Sequence, residues 1–268
     1  MTGEPEIVVA SNEDEATAVA AGRIASALAE SVAEHGRANW ATSGGSAPVG
    51  IYRRLVAEPL RSKVSWNGVH IWWGDDRYVP RDHPLSNVKP LDDILLAIGL
   101  TEEGQAGRTW AGVPLPVENL HPFPTGEAIG GACGPEWCAA TLAHELRTAG
   151  LPTTDGWPVF DVILLGIGPD GHLLSVFPGS VAFESRDLAL AIPAPTHVQP
   201  HVQRVTLNPA VIPVATRAIV VVTGAAKAEV VGRIFGGDRD PKRWPGQLAR
   251  RQGATWILDP AAAAGLPR

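Results

Sequence analysis

The chain has little cysteine, no long apolar run and no surplus of positive charge, and each shortage closes a class of function. Its two cysteines, Cys133 and Cys138, are too few for a disulfide framework. Their C-x4-C spacing, with no second pair, builds no zinc ribbon, so they read as ordinary thiols near a helix start. No stretch approaches the roughly 20 apolar residues that cross a bilayer, and the acidic start MTGEPE lacks the basic and apolar regions of a secretory leader. A cytoplasmic protein without a membrane partner is expected. Acidic residues outnumber basic ones by 28 to 22, a net charge of −6, which argues against a nucleic-acid surface. An anionic ligand must then be held by a few local cations and by backbone amides.

What is present is a globular composition, 45% hydrophobic and 19% charged, in 268 residues without internal repeats. That length suits one large α/β domain, and a single domain over 1–268 is expected. Apolar strand-like runs alternate with helical segments, the pattern of a Rossmann-like, mostly parallel central sheet with helices on both faces. Strands are expected at 7–10, 38–43, 69–74, 162–165, 188–192, 204–207, 218–223 and 255–258. Asn12 with Glu15 forms a capping-box pattern that opens an alanine-rich helix to about His35. Further helices are expected after Pro48, over 90–98, over 136–149, after Gly224 and over 247–251. Residues 75–83 read as a polar loop, 104–134 as a long Gly/Pro-rich surface excursion, 153–156 as a turn, and the Ala-Pro ending as frayed.

The chemistry concentrates where strands end. The segment FDVILLGIGPDGHLLSVFPG (160–179) runs a buried-type strand into glycines and delivers Asp170 and His172 to its tip, where parallel sheets bind their ligands. Gly166, Gly168 and Gly171 match the dinucleotide spacing G-x-G-x-x-G. Pro178 and Gly179 follow too soon, however, leaving space for about two helical turns, so nicotinamide binding is not expected.

Three further clusters stand beside it. Thr42-Ser43-Gly44-Gly45-Ser46-Ala47-Pro48 joins a strand to a helix through residues without bulk, so N–H groups at the positive helix end can approach a phosphate. It lacks the Walker spacing, and with it the usual support for nucleotide hydrolysis. Thr223-Gly224-Ala225-Ala226-Lys227 repeats the arrangement and adds an ammonium group, which opposes the helix dipole unless an anion compensates. Gly74-Asp75-Asp76-Arg77 offers an arginine fork for a phosphate or carboxylate and, in Asp75, an acceptor for sugar hydroxyls. His83, Ser86 and Asn87 extend that cluster without an assignable role.

In their order, TSGGSAP (42–48), WGDDRYVPRDHPLSN (73–87), the 160–179 segment, QRVTLNP (203–209) and TGAAK (223–227) resemble the 6-phosphogluconolactonase family. That family is grouped with the glucosamine-6-phosphate deaminases in one sugar-phosphate superfamily. The resemblance implies a Rossmann-like α/β fold, no cofactor, no obligatory metal and hydrolysis of 6-phosphoglucono-1,5-lactone to 6-phosphogluconate in the oxidative pentose phosphate pathway. It implies that His172 is the general base that deprotonates the attacking water, and that Asp170 orients it or binds substrate hydroxyls. Gly44, Gly45, Ser46 and Lys227 are then expected to hold the 6-phosphate, with Arg77 and Arg204 as further substrate contacts; Asp75 and Gly171 are also expected to bind the substrate. The oxyanion falls either to backbone donors near Gly168 and Gly171 or to Arg77.

Two departures from the family pattern are Asp76, where lactonases commonly carry Glu, and Leu173-Leu174, where smaller residues are common. A glucosamine-6-phosphate deaminase/isomerase-like enzyme is the alternative within the superfamily; that branch places an acidic stretch after the histidine, whereas this chain has Ser175-Val176-Phe177-Pro178-Gly179. A non-catalytic sugar-phosphate sensor is the alternative from outside enzymes. The partner expected is a small sugar phosphate, and monomer and homodimer both stay open.

Overall fold

The computed structural model describes residues 3–97 and 112–267. In chain order its strands are β1 (Glu6–Val9), β2 (Ala38–Thr42), β3 (Val69–Trp73), β4 (Asp75–Arg77), β5 (Leu120–His121), β6 (Thr153–Thr154), β7 (Trp157–Pro158), β8 (Val162–Gly166), β9 (Ala189–Ile192), β10 (Arg204–Leu207), β11 (Arg217–Val222) and β12 (Ala254–Leu258). Seven of them form one sheet in the order β1-β12-β11-β8-β2-β3-β5, and every pair in it is parallel. From β2 the chain steps outward to β3 and β5, and from β8 it steps the other way to β11 and β12. The neighbours β2 and β8 therefore mark the point where the connections reverse, and a crevice opens beyond their carboxyl ends.

The interior strands are apolar along their length because both faces are covered: Val162 to Leu165 and all of β2 and β12 are buried. The helix Glu13–His35 packs on β2, β8, β11 and β12 through Ala16, Ala20, Ala21, Ile24, Ala25 and Leu28, mostly small residues that let it lie close. Asn12 Oδ1 accepts from Glu15 N at 2.9 Å, while the Glu15 carboxylate takes Ser11 N at 2.6 Å, one residue earlier than a capping box places it. Gly36, at φ 72°, ends the helix in the left-handed conformation that suits glycine. Cys138 is buried in the helix Pro135–Thr148 and Cys133 stands just before it, both as free thiols.

Several expectations are corrected. The polar loop at 75–83 begins as β4, antiparallel to β10 in a three-stranded sheet completed by β9. Its charges alternate because one face of the strand turns into the interior and the other lines a crevice. The surface excursion at 104–134 lies partly outside the described residues; from Gly112 onward it is built into the core. Val113, Leu115 and Phe123 are buried, β5 adds the seventh strand, and Thr125–Gly130 is helical. Its apolar residues are spaced by prolines and follow no period, which hid them.

The helix at 90–98 reduces to a π-helical turn, Leu91–Leu95, because the Leu95 and Leu96 carbonyls accept from Val113 and Gly112; Ile98 lies outside the described residues. The helix at 247–251 is a 3-10 segment, Pro245–Ala249. The C-terminal end is ordered: Asp259 caps Pro260–Ala263 by accepting from Ala262 N at 2.8 Å, and Ala262 is fully buried. Among the described residues no helix is long and apolar enough to cross a membrane.

Candidate active site

The carboxyl end of β2 passes into Ser43-Gly44-Gly45 and then the helix Ser46–Leu55, as the cradle pattern requires. Gly45 sits at φ 105°, accessible to glycine and strained for other residues. At Gly44 the constraint is space: a Cβ would lie 1.8 Å from Asn87 Oδ1. Asn87 therefore rests directly on the cradle. Its N–H donates to Asp76 Oδ1 at 2.7 Å, its amide donates to the Asp75 carbonyl at 2.8 Å, and its Oδ1 accepts from Arg77 Nη1 at 2.8 Å. Sequence reading left Asn87 without a role; it joins the phosphate-type cradle to the arginine cluster. Gly44→Ala is expected to displace Asn87 and with it Arg77, destabilising the protein by about 1–3 kcal/mol and raising KM. Thermal melts and kinetics check this, and an unchanged Tm with unchanged KM would refute the close approach.

Strand alternation sorts the acidic pair. Asp75 and Arg77 share one face of β4 and line the crevice, while Asp76 points the other way into the interior. The Asp75 carboxylate is buried and accepts from Ser175 Oγ at 2.6 Å. Arg204 stands directly opposite Arg77 across the β4–β10 pair, so two like charges meet at the crevice. Burial lowers the Arg204 pKa, and Arg77 adds to the effect while Asp75 counters it. Among the described residues the Nε atoms of both arginines are buried without a hydrogen-bond partner. Such a pair is costly without an anion between or before them.

Asp76 is fully buried, and burial pushes its pKa up to about 7; Asp75 adds to this, while bonds from Asn87 N, Arg77 N and Ser86 Oγ oppose it. The folded state thus retains a proton that the unfolded chain releases near 3.8, so its contribution to stability falls as pH rises from about 4 to about 7. Asp76→Asn keeps an oxygen for both N–H donors and removes the charge. It is expected to raise Tm by several degrees at pH 8 and to change it little at pH 4. An equal effect at both pH values would contradict this account.

At the end of β8, two glycines are fixed by contact and conformation. A Cβ on Gly168 would fall 2.0 Å from the His172 ring, and Gly171 is at φ 84°. Gly168 N donates to His172 O at 2.8 Å and Gly171 N to Gly168 O at 3.0 Å, folding His172 back over the turn. No helix follows; Leu173 bridges to Val176, and Leu174 is held at φ 53° with its side chain against Gly74. Asp170 Oδ1 accepts from His172 Nδ1 at 2.5 Å, which leaves Nε2 as the ring nitrogen without a partner among the described residues. Burial opposes ionisation of Asp170, but the hydrogen bond and charge of His172, with a second bond from His197, hold its carboxyl well below the usual carboxylate range. From the β11 end, Lys227 Nζ donates to Ile167 O at 2.7 Å. Its pKa is lowered by burial, with Asp170 pulling the other way.

These groups meet in one cavity of about 300 Å³ lined by Gly44, Gly45, Ser46, Asp75, Arg77, His172, Arg204 and Lys227. Asp170 and Gly171 stand outside the lining: Asp170 reaches the cavity through His172, and Gly171 backs onto Trp244. The N–H groups of Gly168 and Gly171 are both used within the turn, so a direct substrate contact or oxyanion bond from Gly171 is not available in this conformation. Of the two donor sets expected for the oxyanion, Gly168 and Arg77 both line the cavity, but the Gly168 N–H is spent on His172 O, which favours the Arg77 guanidinium. Residues missed in the sequence are Ser175, which anchors Asp75, and His197, which binds Asp170 Oδ2 at 2.9 Å. Ser175 lies in the 160–179 segment, where a serine after the histidine gives no sign of a partner as distant as Asp75, and His197 lies in no motif.

A reversal-point crevice with three cations, a glycine cradle and a carboxylate-held imidazole defines an α/β enzyme acting on a small phosphorylated ligand. The family model described as glucosamine-6-phosphate isomerases/6-phosphogluconolactonase matches residues 11–257, and the chain belongs to that family. It is 33% identical over 241 residues to a 6-phosphogluconolactonase of Synechocystis sp., covering 89% of each chain. To the 6-phosphogluconolactonase of Mycobacterium tuberculosis it is 34% identical over 259 residues, covering 96% of each. The solved 6-phosphogluconolactonase from Trypanosoma cruzi superposes with a TM-score of 0.81 at 27% identity, over 100% of this chain and 99% of that one.

Proposed function

We propose that this chain, acting as a single cytoplasmic domain, hydrolyses 6-phosphoglucono-1,5-lactone to 6-phosphogluconate, the lactone-opening step of the oxidative pentose phosphate pathway. The observation that carries the reading is His172: Asp170 holds its Nδ1, its Nε2 has no partner among the described residues, and it lines a cavity that also holds Lys227, Arg77, Arg204 and the Ser43–Ser46 cradle. The cradle and Lys227 seat the 6-phosphate, and Asp75 accepts from ring hydroxyls. Water attacks C1 while His172 Nε2 takes its proton, and the arginine pair receives the charge that develops on the carbonyl oxygen. Collapse breaks the C1–ring oxygen bond, and the imidazolium returns the proton to the departing oxygen. The side chains from Leu173 to Phe177 include no carboxylate, and Ser175 is committed to Asp75, so the acid that a deaminase needs after its histidine is missing.

The test is a timed assay on freshly prepared lactone, corrected for spontaneous opening, alongside calorimetry with 6-phosphogluconate. Turnover well above background is expected. Binding of the phosphogluconate without turnover would favour a sensor and overturn the reading.

A further inference from the structure

Asp170 is bracketed by two histidines. Its Oδ1 accepts from His172, through Nδ1 at 2.5 Å and the backbone N–H at 3.2 Å, and its Oδ2 accepts from His197 Nε2 at 2.9 Å. A carboxylate this acidic is an acceptor only, so Nε2 of His197 carries the hydrogen. The two imidazoles are further linked through Phe177, whose ring centroid lies 4.7 Å from that of His172 and 5.6 Å from that of His197, edge-on to the latter. Arg204 sits over the same ring at 5.8 Å. His197 also begins a segment that reaches the cavity: Val198 and Gln199 line it, and the Pro200 carbonyl accepts from Arg204 Nη2 at 3.1 Å. The segment is thus tied at each end to a residue of the site.

We propose that His197 is a positioning residue for the lactone hydrolysis: by donating to Asp170 Oδ2 it fixes the carboxylate that orients His172, and it seats the Val198–Gln199 wall of the cavity. The inference rests on the proposed function for its chemistry, and on this geometry for its residues. Without His197, Oδ2 is free to turn to solvent, and the plane of the carboxylate is no longer held at both oxygens. The donor also draws negative charge away from the Nδ1 side. Losing it strengthens Asp170 as a partner for the His172 imidazolium, so the base takes its proton at higher pH and is less available at low pH. The charged groups that face this pair are Lys227, which feels Asp170 across the turn, and Arg204 over Phe177. Both keep their charge in the substituted protein.

The experiment compares His197→Ala and His197→Gln with the unaltered protein. The His197 side chain is 53% exposed, so both variants are expected to fold with nearly unchanged Tm. In His197→Ala, kcat is expected to fall on the order of tenfold, the loss of one hydrogen bond to a charged acceptor, and the acid limb of the kcat/KM profile to move to higher pH. Glutamine carries a donor of similar reach, so His197→Gln should restore most of kcat and return the limb toward its original position. Unchanged kcat and pH profile in both variants would overturn the proposal, as would a loss in His197→Ala that glutamine does not restore and that leaves the profile unmoved. NMR titration of the His172 ring gives a readout independent of turnover. If the unaltered protein shows no lactonase activity, the proposed function fails. In that case a His172 titration that moves in His197→Ala and not in His197→Gln still supports the positioning role, and one that does not move refutes it.

Discussion

His172→Gln is expected to lower kcat by about 10²–10⁴, to near the spontaneous rate of lactone opening, because glutamine fills the site but takes up no proton. The size follows from what the imidazole is asked to do. Water is a poor nucleophile toward an ester carbonyl, and His172 lines the cavity with Nδ1 held by Asp170 and Nε2 without a partner among the described residues. Folding should survive, since the His172 side chain lies at the cavity wall with 16% exposure and its neighbours Phe177 and Gly168 stay in place. The variant also has a signature in stability. Asp170 is held below its unfolded pKa largely by His172, so that pair stabilises the fold at neutral pH and loses its effect as pH falls through the carboxylate range. Tm of His172→Gln should therefore trail the unaltered protein at pH 7 and approach it in acid. Retained turnover in a folded variant would remove His172 from the base role.

Much of this site was legible because it is written in short contiguous segments whose geometry is local. Gly44 to Ser46, Gly168 to His172 and Gly224 to Lys227 each follow a strand, and strand ends in a parallel sheet converge. The glycines in them are fixed by close contacts at Gly44 and Gly168 and by positive φ at Gly45 and Gly171, requirements a sequence records as glycine even when the reason is hidden. What could not be read was any relation across long separations. Nothing near His197 announces that it will reach Asp170, 27 residues earlier, and Ser175 meets Asp75 across 100 residues. The same limit applied to the fold. β1, β2, β3, β8, β11 and β12 were visible as β-branched or apolar runs, but β5 is two residues long among prolines and is a strand only because β3 offers it an edge. β4 was hidden for the opposite reason: Asp-Asp-Arg has a loop composition, and only pairing with Arg204 to Thr206 makes it a strand.

Lys227→Ala is expected to reduce kcat/KM by roughly 10–100-fold, almost wholly through KM, from the loss of a charge-assisted bond of about 1.5–3 kcal/mol. The phosphate is remote from the breaking bond and keeps its charge throughout, so its contacts are equally strong in the ground and transition states and act as uniform binding. Lys227 suits that task by position. One N–H is committed to Ile167 O, which fixes the ammonium in the cavity that Gly44 and Gly45 also line, and the others are left for the ligand. Burial already disfavours its charge, and at the start of the helix Ala228–Gly236 the dipole adds to that cost; a bound phosphate dianion offsets both. Unphosphorylated glucono-1,5-lactone separates this role from a catalytic one. With that substrate the unaltered protein and Lys227→Ala should turn over alike, because the group the lysine serves is missing. A fall in kcat on both substrates, with KM unchanged, would instead place Lys227 at the reacting carbonyl and move the phosphate to the Arg77–Arg204 pair.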